Sequence, residues 1–319
     1  MRTTIDGIPA RLATLAFLSL LVAGCTKTFV IRPVPLPGEP YPTATATEPR
    51  SLGFSDARGD AGKSFSKGTL RVDFEGMDDQ IAYLAENVVA VLNAEGIKVV
   101  TDKSGDADVK LKVLTYRMRN LRTSGFSPYH TFTTFSAELA GDRPRRITAY
   151  FKNSKTPVWA FREIERPCYQ IALEVVVKEI AAKLNARVFG RVASTATVER
   201  IAASIPSGSA DAASEQYLKV LELGYTNNPA AIPVLVRLTS REEALMRASA
   251  ISALGMLGAT DQLPLLKTLY ASGEGVVKSM ALKSIGDLDT PEANDFLRGV
   301  KQSRDYKDDT IREVLDLYQ

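Results

Sequence analysis

A spacing of 31 residues recurs through the last third of the chain and constrains its fold more than any other feature. Ile232–Leu238 aligns with Leu263–Leu269 and again with Asn294–Val300 at that step, Ala250–Leu257 aligns with Ala281–Leu288, and Gly224, Gly255 and Gly286 fall at the same interval. Separate landmarks sharing one period mark a supersecondary unit stacked on copies of itself. The first segment of each unit carries aliphatic residues at i, i+3 and i+6, which predicts a helix. The second places Ala248, Ile251, Ala253, Leu254 and Leu257 toward its neighbours. Small alanines let adjacent helices approach closely, while the leucines fill the seam between units. One such hairpin cannot bury its apolar face alone, so stability requires a stack. The stack is expected to begin with a half-unit from Ser214 to Thr226. It is expected to end at Thr310–Tyr318, where Arg312, Glu313 and Asp316 supply a polar cap.

This unit resembles HEAT repeats of the short bacterial type and assigns residues 198–319 to an all-α HEAT-like solenoid. The resemblance implies a protein-docking surface along a concave face.

Residues 67–192 read differently. Leu70, Val72 and Phe74 alternate as in a half-buried strand, and Ile81, Leu84, Ala85, Val88, Val91 and Leu92 follow at helical spacing up to Gly96. Ile97–Thr101 reads as a second strand. Val109, Leu111 and Val113 occupy one face before Leu114, Tyr116 and Met118 switch phase, which predicts a bulge near Val113. Strands around Phe135–Leu139 and Ile147–Phe151 follow. A turn at Asn153–Thr156 is expected to return the chain into a strand at Val158–Arg162, and an apolar helix from Tyr169 to Phe189 closes the unit. The order β-α-β-β-β-β-β-α predicts an α+β domain with a mostly antiparallel sheet. With Asp106–Asp108 leading into the third strand and Val158-Trp159 in a late hairpin, this region resembles envelope lipoprotein domains of the YajG kind and, loosely, the N-terminal domain of TolB. That resemblance supplies no catalytic residues.

Arg2 and Arg11 precede an apolar run from Leu12 to Val22, too short to span a membrane as a helix. Leu21-Val22-Ala23-Gly24-Cys25 resembles the lipobox of bacterial lipoproteins. The resemblance implies that residues 1–24 are a signal peptide and that Cys25 carries diacylglycerol and an N-acyl chain, a covalent lipid rather than a cofactor. Thr26 and Lys27 in place of Asp imply sorting to the outer membrane of a Gram-negative envelope, facing the periplasm. Residues 25–66, with prolines at 33, 35, 37, 40, 42 and 49, read as a tether. In polyproline II geometry, at about 3.1 Å per residue, it would reach on the order of 100 Å.

Composition limits the chemistry. The full chain carries a formal charge of +3, and removing Arg2, Arg11 and Asp6 with the signal lowers it by one, so no global bias toward nucleic acid exists. With Cys25 lipidated, Cys168 lacks an intramolecular partner and is expected to be buried. Ala57–Ser64 has the letters of a relaxed phosphate loop but not the preceding strand and following helix that the mechanism requires. The single histidine, His130, is expected in a surface loop, and usual zinc sites are excluded by count. No catalytic constellation emerges, and the chain reads as a non-enzyme without metal or cofactor.

One basic region stands out. Arg117, Arg119, Arg122, Arg143, Arg145 and Arg146 are interleaved with Tyr129, Phe132 and Tyr150. Arginines at a sheet edge suit the phosphates or carboxylates of an anionic glycan or lipid; the same set also suits solvated strand faces and edge protection. Two functions follow: an interaction scaffold working through the repeats, or a receptor working through the basic loops. Truncation near Ala196 is expected to abolish the first and spare the second.

Overall fold

A computed structural model describes residues 28–32, 48–59, 64–141, 145–206 and 215–318. Cys25, Arg143 and the central residues of the Ala57–Ser64 segment lie outside the described residues.

Among the described residues, the sheet domain holds eight strands: β1 (Thr28–Ile31), β2 (Arg50–Asp56), β3 (Ser66–Gly68), β4 (Arg71–Phe74), β5 (Val99–Thr101), β6 (Val109–Leu121), β7 (Tyr129–Leu139) and β8 (Arg145–Lys155). The large sheet has the order β5-β2-β6-β7-β8, with β3 paired to the far half of β6; β1 and β4 form a separate parallel pair. β6, β7 and β8 are antiparallel, whereas β2 runs parallel to both β5 and β6. The register of β6 slips between Val113 and Thr115, the bulge expected from the phase switch.

Helix α1 (Gln80–Ala94) begins where Asp79 accepts hydrogen bonds from the Ile81 and Ala82 amides, and it buries Ile81, Leu84, Val88, Val91 and Leu92. Gly96, at φ +79°, ends it. Asn93 exchanges two hydrogen bonds with the Val99 backbone at 2.9 and 3.1 Å, steering the chain into β5. Helix α2 (Ile171–Leu184) is extended at both ends by π-helical turns, Glu165–Gln170 and Asn185–Phe189. Pro167 sits in the first of these, where its missing N–H and ring are incompatible with ordinary i→i−4 bonding.

The solenoid follows: α3 (Thr195–Ala203), α4 (Tyr217–Tyr225), α5 (Ile232–Leu238), α6 (Ala244–Met256), α7 (Leu263–Ser272), α8 (Gly275–Leu288), α9 (Pro291–Gln302) and α10 (Asp309–Leu315). The second helix of each pair is inside. Every residue of α8 from Ser279 to Leu288 is buried, whereas α9 buries only Ala293, Leu297 and Val300. The recurring glycines are close-approach points. A Cβ on Gly224 would lie 2.9 Å from Ala253 Cα, one on Gly255 2.7 Å from Ser284 Cα, and one on Gly286 2.6 Å from the Tyr318 ring.

Four expectations are corrected. The segment read as a tether contributes β1 and β2, which pair with the sheet domain. Val158–Arg162 is not a strand: 158–161 form a loop, and Arg162 opens the short helical turn Arg162–Ile164 that enters the long helix. His130 lies in β7, half-buried, with its Nδ1 2.6 Å from Ser154 Oγ. The C-terminal segment is more than a polar cap: Arg312 and Asp316 are exposed, but Ile311, Glu313, Val314, Leu315 and Leu317 are buried, because the solenoid turns back onto the sheet. Cys168 is fully buried, and burial, opposed by its contact with Thr131, pushes its thiol up to about 12.

Candidate functional site

Both faces of β7 are covered. On one, Phe135 and Tyr116 belong to the apolar core under the helices. On the other, register aligns Arg119 with Phe132 and Lys152, and Arg117 with Thr134 and Tyr150. This polar face receives the inner side of the solenoid. Arg119 Nη2 lies 2.8 Å and Arg117 Nη2 3.6 Å from the buried Glu313 carboxylate of α10. Arg119 also stacks over the Phe132 ring at 4.2 Å. The Arg146 guanidinium reaches the Leu317 carbonyl at 3.4 Å.

Deeper in this seam lies a closed ionic cluster. Lys183 of α2 contacts Asp287 of α8 at 2.6 Å and Glu179 at 2.7 Å. Lys283 contacts Glu179 at 2.5 Å and Asp287 at 3.0 Å. Thr148 of β8 donates to Asp287 at 2.9 Å, and Lys183 donates to the Thr148 carbonyl at 2.7 Å. Two cations and two anions therefore neutralise one another out of water. Burial alone would raise the Asp287 carboxyl, but Lys183 and Lys283 outweigh it and hold the group below the ordinary carboxylate range. Tyr318 closes the cluster, donating to Asp287 or to the Lys283 carbonyl, each at 2.8 Å. Phe151 and Tyr217 stack across the same seam at 6.4 Å, and Arg166 pairs with Glu215 through two hydrogen bonds.

The predicted arginines therefore do not form one site. Arg117, Arg119 and Arg146 bind the solenoid. Arg122 bridges two loops, donating to the Gly125 and Val158 carbonyls. Arg145 lines a cleft of about 580 Å³ with Arg50 and Arg187, against Asp108. Asp108 is already engaged by the Ser51 amide at 2.7 Å and the Ser51 hydroxyl at 2.9 Å. Arg50 and Arg187 were missed because they lie far from the basic region in sequence, and no local pattern joins them. Among the described residues, no group of three or more His, Cys, Asp or Glu side chains is placed to hold a metal ion. No described helix is long and apolar enough to cross a membrane.

The inner helices of the solenoid are thus spent on the chain's own sheet domain. What the repeats leave to solvent is the outer row, α5, α7 and α9, where Pro233, Arg237, Pro264, Thr268, Asp295 and Arg298 are exposed.

A family model of HEAT repeats matches residues 210–286. No curated protein matches the chain. Solved structures similar to it include a Xanthomonas campestris protein of the DUF330 family, 15% identical, covering 48% of this chain and 91% of that one with a TM-score of 0.34. A minor lipoprotein from Acinetobacter baumannii is 14% identical, covering 43% and 91% with a TM-score of 0.27. The chain is a mixed-sheet α+β domain followed by a HEAT-like helical repeat, and the two pack together through a buried polar seam.

Proposed function

We propose that this chain is an envelope lipoprotein, anchored through acylated Cys25 in the outer membrane, that serves as a non-catalytic scaffold for another envelope protein. The observation carrying this reading is the division of labour within the solenoid. Its inner helices hold the sheet domain, and its outer helices expose Pro233, Arg237, Pro264, Thr268, Asp295 and Arg298 to solvent. HEAT repeats mediate protein–protein contacts, and an extended helical face supports an interface without any cleft or catalytic group.

The test is position-specific. A photo-crosslinking residue at Arg237, Thr268 or Arg298 should capture the same envelope protein, and charge reversal at Arg237 and Arg298 together should abolish that adduct. Capture of nothing from all three positions, or an adduct indifferent to charge reversal, would remove the scaffold reading. Truncation near Ala196 cannot serve here, because it strips Asp287 from Lys183 and Glu313 from Arg119, damaging the remaining domain.

A second reading has its own observation. Among the described residues, Arg50, Arg145 and Arg187 line one cleft in which Asp108 is the one carboxylate, already engaged by Ser51. That charge balance suits an anionic glycan or lipid headgroup. Under this reading, Arg50→Glu with Arg145→Glu eliminates glycolipid co-purification and leaves the outer-helix crosslinks intact.

A further inference from the structure

The end of the sheet domain opposite the arginine cleft carries the most exposed aromatic side chains among the described residues. Phe126, in the β6–β7 turn, is 90% exposed, and Trp159, in the loop after β8, is 79% exposed. They are not independent flaps. The Arg122 guanidinium donates to the Gly125 carbonyl, next to Phe126, and to the Val158 carbonyl, next to Trp159, the latter at 3.2 Å. The Trp159 amide is in turn held by Glu163 at 3.0 Å. Two large apolar side chains are thus presented to solvent on a clamped double loop.

The first described residue, Thr28, sits at this same end. It pairs in register with Arg71, and the neighbouring Thr69 bonds to the Asn120 and Arg122 carbonyls at the end of β6. Phe29 stacks on Phe161 at 4.1 Å, two residues from Trp159. Cys25 is three residues before Thr28, a span of about 10 Å at full extension. A lipid on Cys25 therefore places this end of the body at the bilayer surface.

We propose that the Phe126–Trp159 double loop is a bilayer-docking tip, seating its aromatic side chains in the headgroup region beside the lipid anchor. The proposal rests on the anchoring of Cys25 stated above. Trp is favoured at that depth because its ring is apolar and its N–H finds a wet partner. The basic side chains of Arg71, Lys155 and Arg162 at this end suit anionic headgroups. The acyl chains supply affinity and the tip supplies orientation, holding the body in one pose rather than leaving it to swing.

Trp159 is the only tryptophan, so emission excited at the red edge, where the eleven tyrosines do not absorb, reports on this loop alone. Two samples separate the anchor from the tip. One is the protein extracted from envelopes, its Cys25 adduct weighed by mass spectrometry, reconstituted in phosphatidylethanolamine–phosphatidylglycerol vesicles. The other is the mature chain coupled through the Cys25 thiol to a maleimide lipid in the same vesicles; buried Cys168 does not compete. In both, Trp159 emission should shift to the blue and lose most of its intensity when the lipids are brominated near the top of the acyl chains. Phe126→Ser should weaken that quenching several-fold while leaving thermal unfolding unchanged. Emission that keeps its aqueous maximum in the coupled chain would overturn the docking tip. So would a blue shift without quenching by brominated lipid, since Trp159 would then be covered by protein. An unmodified Cys25 in the extracted protein would overturn the anchor instead, and the coupled chain still decides the tip.

Discussion

At the scale of single residues, burial decides the behaviour of groups that look ordinary in the sequence. Glu95 follows the last turn of α1 at 7% exposure, and its Oε2 finds no hydrogen-bond partner. Burial, opposed weakly by Lys178, pushes its carboxyl up to about 8 from 4.5. The folded state therefore binds a proton that the unfolded state has lost, and stability falls as pH climbs between those two values. Glu95→Gln should abolish that slope and stabilise the protein above pH 8 by up to about 5 kcal/mol, measured by urea unfolding across the window. A parallel slope in the variant would show that the carboxyl is solvated. None of this is legible in the sequence, where a glutamate before Gly96 reads as an exposed helix end.

Elements were legible where the pattern is local and repeated. The 31-residue period yielded the helical pairs; Gly224 and Gly255 prove to be the places where successive inner helices touch, and Gly286 is where α8 receives the Tyr318 ring of the C-terminal turn. A Cβ on Gly255 would meet backbone rather than a yielding side-chain tip, so Gly255→Ala should cost about 1–3 kcal/mol despite its better helix propensity. A thermal scan showing stabilisation would contradict the close packing of α6 on α8. The bulge in β6 and the span of α1 were legible for the same reason: their apolar faces repeat within the element. β1 and β2 were not. They are short, flanked by proline-rich sequence, and their partners, β4, β5 and β6, lie far along the chain. Conversely, Val158–Arg162 alternates like a strand yet has no neighbour to pair with, and Trp159 ends in solvent.

For the whole molecule, the ionic seam joins two regions of different architecture. Lys283 is fully buried, and its ammonium holds Glu179 of the sheet domain and Asp287 of the solenoid. Lys283→Met leaves two buried carboxylates with one cation and should cost about 3–5 kcal/mol. The loss should appear as one cooperative transition in which sheet and helix signals melt together; separate transitions would mean that the seam does not couple the regions. Because Asp287 has a depressed folded pKa, the seam's contribution is present above the ordinary carboxylate range and is lost as pH falls below it.

The sequence alone determined the repeat, its period and its glycines, and the strand-rich region before it, since each is written in neighbouring residues. Only the tertiary structure decided what the arginines do and which surface is free. Arg117 and Arg119 meet Glu313 across 194 or more positions, Lys183 meets Asp287 across 104, and Arg145 joins Arg50 and Arg187 in one cleft. A charge's role depends on its partner and its distance from water, and both are set when distant segments pack.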